Sequence, residues 1–248
     1  MPSRDDARAT VVHLDSLAGG DDVTRLAAAR LLSRLSPIDA TELLQQVIGL
    51  SREGFEPARV GLAAFTRALE REAAQIPYAP QLRRIAAMSD LTEVETLFAE
   101  GPPAQEYDLD AAKRADAKLF TQSLGHLKTQ ARLTRNPDQL ARLAVASNPE
   151  VVRNVLINPR LTEDLVVRIA ARRPARPEPL VEIWHSQKWS SRPAVRRALA
   201  FNPYLPPDVG SKIVPLLSLA DLKELARDNG VHHALREQAK ALLEAAGR

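Results

Sequence analysis

Apolar residues recur along most of this chain in steps of three or four, the spacing that lines one face of an α-helix. From Asp21 the run DDVTRLAAARLLSRLS opens on acids and closes on Arg25, Arg30 and Arg34, an order that complements a helix dipole. The next run, TELLQQVIGLSREG, carries a stripe of Leu43, Leu44, Val47 and Ile48 and meets a natural stop at Gly54. Pro57 opens a third, with Phe65 and Leu69 one turn apart, which Ile76-Pro77 breaks. Two shorter helices are predicted over 80–88 and 91–100. Gly101-Pro102-Pro103 cannot lie inside a helix and marks a loop over 101–108. Beyond it, 109–133 reads as a long helical segment interrupted near Gly125, and 219–230 as a helix with a glycine stop. The run VHHALREQAKALLEAAGR reads as an amphipathic terminal helix, polar enough to cap a stack of helices. Residues 1–20, ending in Gly19-Gly20, are expected to form a flexible tail.

Within this pattern one unit is written twice. Residues 147–170 align without a gap to residues 191–214 at an offset of 44, with Ser147/Ser191, Pro149/Pro193, Val151/Val195, Arg153/Arg197, Asn158/Asn202, Pro159/Pro203, Leu161/Leu205, Asp164/Asp208 and Ile169/Ile213 identical. The leading proline suits the first turn of a helix, with Ser147, Asn148 and Ser191 as N-cap candidates. Val151/Val155 and Val195/Leu199 fall on one face. The Asn-Pro pair ends that helix, because the residue before a proline is pushed out of the α region. A second helix follows, with Leu161, Leu165 and Ile169 (Leu205, Val209 and Ile213 in the other copy) along a single stripe, and with Asp164 or Asp208 in its first turn. A weaker third corner stands upstream at Leu133, Asn136, Pro137, Leu140 and Leu143. A hairpin of two short helices cannot bury its own stripe, so neighbouring units must cover it.

These residues resemble the repeat of the leucine-rich repeat variant proteins, which belong with the HEAT-like α-solenoids. The resemblance implies an all-α fold, a right-handed α-solenoid of HEAT-like helical hairpins, with N-terminal helical repeats over 21–100 and the repeats proper, ending in the capping helix, over 109–248. It also implies an interaction scaffold in place of an enzyme. Some members of that family hold an iron–sulfur cluster on cysteines ahead of the repeats. This chain has no cysteine, so no cofactor carries over.

Composition supports helices built on small and aliphatic side chains: aromatic residues are only 4%. The lack of cysteine removes disulfides, thiol catalysis and cysteine-bound metals, and fits a reducing, cytoplasmic setting. No stretch approaches the roughly 18 uninterrupted apolar residues of a membrane span. The net charge of +3 hides an asymmetry. Residues 1–100 carry 11 basic and 15 acidic side chains, leaving 23 and 16 for residues 101–248. The basic half invites an acidic partner.

Candidate chemistry is sparse. His13, His126, His185, His232 and His233 lack the i, i+3 or i, i+4 spacing by which two rings on one helix meet a metal, and no phosphate-cradling glycine motif is present. Asp164 and Asp208 recur as helix-initiating residues, not as an acid/base pair. The one stretch that suggests recognition lies between the two copies. There Arg168, Arg172, Arg173, Arg176, Lys188, Arg192, Arg196 and Arg197 interleave with His185 and with both tryptophans, Trp184 and Trp189. With Arg153, the residues Arg172, Arg173, Arg176, Trp184, Lys188, Trp189, Arg196 and Arg197 are the candidate contacts for a protein partner. Arginines on phosphates beside a stacking ring would also suit nucleic acid. Among HEAT-like folds the alkylpurine DNA glycosylases grip DNA on a concave basic surface, although no stretch here carries their catalytic pattern. The competing reading makes both tryptophans core filler beside Leu180, Val181 and Ile183, and the arginines a solvated face.

Overall fold

The computed structural model describes residues 2–17, 21–72, 74–108, 122–144, 146 and 148–246. Among them there are helices and connecting turns and no β-strand. Contacts divide the chain into two compact units. One comprises residues 1–101 with 210–229 and 233–248, the other residues 102–209 with 230–232.

In the first unit the helices are α1 (Arg4–Ser16), α2 (Asp21–Ser33), α3 (Pro37–Arg52), α4 (Glu56–Arg71), α5 (Leu82–Met88) and α6 (Thr92–Glu95). Where a tail is expected, α1 forms instead. Ser3 and Asp6 close a capping box at its start, and Ala7, Val11 and Leu14 bury one face. The hub is α4, which is buried all round from Gly61 to Leu69 and packs against α1, α2 and α3. Helix α1 crosses it so closely at Gly61 that a β-carbon there would stand 2.7 Å from Val11 Cγ1. Gly54 ends α3 as expected, with φ of 85° and the Phe55 N–H returning to the Leu50 carbonyl.

The C-terminal segment of this unit adds α15 (Leu219–Leu225) and α16 (His233–Ala246). Buried polar side chains tie it to the N-terminal helices and to itself. Lys212 Nζ donates to Glu70 Oε1 at 2.6 Å, Ser211 Oγ to the Leu97 carbonyl at 2.7 Å, and Gln238 Nε2 to the Ser211 carbonyl at 2.8 Å. Buried groups of this kind need such partners, since each left unmade costs its full desolvation.

The second unit contains α7 (Leu124–Leu133), α8 (Pro137–Leu143), α9 (Pro149–Leu156), α10 (Glu163–Ala170), α11 (Pro177–His185), α12 (Gln187–Ser190) and α13 (Pro193–Ala200). The chain leaves it within α14 (Pro207–Ile213), between Val209 and Gly210. Most of the expected long segment, 109–121, and the cap candidate Ser147 lie outside the described residues. Both repeat copies take the expected form of helix, Asn-Pro corner and helix, and the stripe residues Leu161, Leu165, Ile169, Leu205, Val209 and Ile213 are all buried. Asn148 caps α9 by accepting from Glu150 N–H at 2.9 Å. In the other copy the cap position falls to Arg192, not Ser191, and no side chain caps α13.

Candidate interaction surface

The repeated asparagine does more than turn the chain. Asn158 Nδ2 donates to the carbonyls of Ala131, Arg132 and Thr134 at 2.8, 3.1 and 3.1 Å, while its Oδ1 accepts from Arg160 N–H at 2.8 Å. Asn202 repeats the arrangement. Its Nδ2 donates to the carbonyls of Ala170 and Arg172 at 2.7 and 3.0 Å, and its Oδ1 accepts from Tyr204 N–H at 3.0 Å. Each buried amide thus satisfies carbonyls left open at the C-terminal end of an earlier helix, α7 or α10, and fixes its own corner in the same stroke. The upstream corner behaves differently. Asn136 is exposed and turns its oxygen onto Asp138 and Gln139 N–H as the N-cap of α8.

The asparagines also decide which side chains gather at the surface. Arg132, Arg135 and Arg160 stand at the first corner and Arg172 and Arg173 at the second, all exposed. Arg173 Nη2 donates to the Phe201 carbonyl at 2.5 Å, and the Arg197 guanidinium lies 4.5 Å from the Phe201 ring centroid. Beside them Gln105 N–H donates to the Pro203 carbonyl at 3.0 Å, Tyr107 meets Tyr204 edge-on at 6.5 Å, and Arg176 lies 5.3 Å over Tyr107. Cations are at home near helix C-termini, where the dipole is negative.

The predicted contacts separate into two groups. Trp184 is fully buried. Trp189 is 4% exposed, and its Nε1 donates to the Leu156 carbonyl at 2.8 Å while Lys188 covers its ring at 4.4 Å. Neither ring is presented for stacking. Arg153 reaches across from α9 to α11, where its Nε and Nη2 grip buried Glu182 at 2.8 and 3.0 Å; that hydrogen bond holds the guanidinium pKa above its ordinary value. Arg176 and Arg196 are buried, the latter donating to the Ser191 carbonyl at 3.1 Å. Arg172, Arg173 and Lys188 are exposed, and Arg197 is half-buried. Sequence reasoning passed over Arg132, Arg135, Arg160, Tyr107, Phe201 and Tyr204. A signal was available for Arg160 and Tyr204, which each follow an Asn-Pro pair directly.

Among the described residues no three histidine or carboxylate side chains come together as a metal site, and no helix is long and apolar enough to cross a membrane. Arg153 and Glu182 form a structural ion pair. The chain is an all-α protein in which both repeat copies form a helix, an Asn-Pro corner and a second helix. It matches no family model, no curated protein and no solved structure.

Proposed function

We propose that this protein is a non-catalytic interaction module, a HEAT-like repeat scaffold in the manner of the leucine-rich repeat variant proteins, working in the cytoplasm and taking an acidic segment of a protein partner on the arginine-lined corners of its second unit. The observation that carries this reading is the paired corner geometry. Two buried asparagines fix two successive hairpins and set Arg132, Arg135, Arg160, Arg172 and Arg173 at their exposed ends. Preformed positions of this kind cost little ordering when a partner binds. Burial of both tryptophans withdraws the stacking rings that favoured nucleic acid, so a protein partner is preferred.

The test is recovery from native cell extract on the immobilised full chain. A stoichiometric partner with an acidic segment should be retained by the wild type and lost by Arg160→Glu/Arg172→Glu, while the first-unit reversal Lys240→Glu keeps it. Recovery unchanged by the corner reversals would refute the reading, and so would recovery of duplex DNA alone with a steep salt dependence.

A further inference from the structure

A second surface lies in the first unit, on residues that the proposed function does not use. Helix α2 buries Thr24, Ala28, Ala29 and Leu32 toward the core. Its other face, Val23, Leu26, Ala27, Arg30 and Leu31, repeats at helical spacing and, with Arg34 in the turn after it, His13 of α1 and the C-cap residue Leu17, lines a groove of about 530 Å³. Val23 is 53% exposed there, although a valine on a helix of a closed bundle is ordinarily covered.

Among the described residues the polar side chains lining this groove are His13, Arg30 and Arg34, and no carboxylate joins them. Several other arginines of the unit are matched: Arg4 with Glu53, Arg25 with Asp22 and Glu72, Arg52 with Glu93, Arg59 with Glu56, Arg83 with Glu100. Arg30 and Arg34 have no such ion pair among the described residues. Arg30 stands in the last turn of α2 and Arg34 just beyond its end, and both line the groove. An apolar floor edged by two arginines complements one kind of occupant.

We propose that this groove docks an acidic amphipathic helix of a partner protein, its aliphatic stripe on Val23, Leu26, Ala27 and Leu31 and its carboxylates on Arg30 and Arg34. The lining from Val23 to Arg34 spans about three turns, roughly 16 Å, which suits a helix laid along it.

The test is selection of a random display library of peptides about 16 residues long on the immobilised full chain, with counter-selection on Val23→Asp. Enriched peptides should carry Leu or Ile at i, i+3 or i+4 and i+7, flanked by Asp or Glu. A synthetic copy should lose at least about tenfold in affinity on Arg30→Glu/Arg34→Glu and regain it when its own acids become lysines. The corner reversals Arg160→Glu/Arg172→Glu should leave its affinity unchanged, which keeps this site's fate separate from that of the second unit. Four results would overturn the proposal: enriched peptides without acids, affinity indifferent to Arg30 and Arg34, binding of palmitate with no peptide enriched, or a dimer of this chain that Val23→Asp dissociates. Matching circular dichroism melts of the variants and the wild type would establish that the fold is kept.

Discussion

Asn158 and Asn202 are where one side chain holds most structure. Replacing Asn202 with alanine leaves the Ala170 and Arg172 carbonyls without their donor, at a cost of about 1–3 kcal/mol in a denaturant melt. Asn202→Asp should do no better, because a carboxylate of nearly the same shape cannot donate to a carbonyl; an aspartate variant as stable as wild type would contradict the assigned roles. Tyr78 offers a spectroscopic check. Its hydroxyl donates to the Leu32 carbonyl, and burial pushes its pKa up to about 12. The neutral phenol is favoured in the folded chain, so its contribution to stability is present below the unfolded tyrosine pKa and drains away as pH rises toward 12. Absorbance at about 295 nm should show a late tyrosinate step that Tyr78→Phe removes. At the acid end, the Ser3 and Ser36 hydroxyls hold Asp6 and Asp39 below the usual aspartate range. Their contribution is present above that range and lost as pH falls through the depressed values, with fraying of the first turns of α1 and α3 readable in carboxyl NMR shifts. None of the asparagine's reach was legible in the sequence. A residue before proline reads as a turn, and its partners lie 24–32 residues upstream, where no local pattern points.

Among elements, α1 crosses α4 closely at Gly61. Gly61→Ala drives a β-carbon into Val11 and should cost about 1–3 kcal/mol by overpacking. Adding Val11→Ala should return part of that loss in a double-mutant cycle; a Gly61→Ala chain as stable as wild type would show that the crossing is looser than described. The helical spacing, the glycine stop after α3 and the repeated hairpin could be read from apolar periodicity and punctuation alone. The N-terminal helix was also legible, since Ser3-x-x-Asp6 before a run with Ala7, Val11 and Leu14 is a capping signature, but the flanking glycines outweighed it. The tryptophans show why basic-aromatic interleaving misleads. At positions 184 and 189 helices α11 and α12 turn large rings inward, where Trp189 uses its one donor on the Leu156 carbonyl; Lys188 stays outside, while Arg176 and Arg196 are themselves buried.

For the molecule as a whole, charge follows the sequence halves while the compact units do not. The segment beyond Val209 belongs with the N-terminal helices, through pairs such as Lys212 with Glu70 that are 142 residues apart and leave no trace in local periodicity. What the basic half can do depends on whether its corner arginines act together on an acidic chain. The decisive measurement is fluorescence anisotropy of labelled polyglutamate against the full chain across about 50–200 mM salt. The wild type should bind with an affinity that falls as salt rises, and Arg160→Glu/Arg172→Glu should weaken binding at least about tenfold at the low-salt end. Equal affinity for the wild type and that variant, at any salt where binding is seen, would contradict the account.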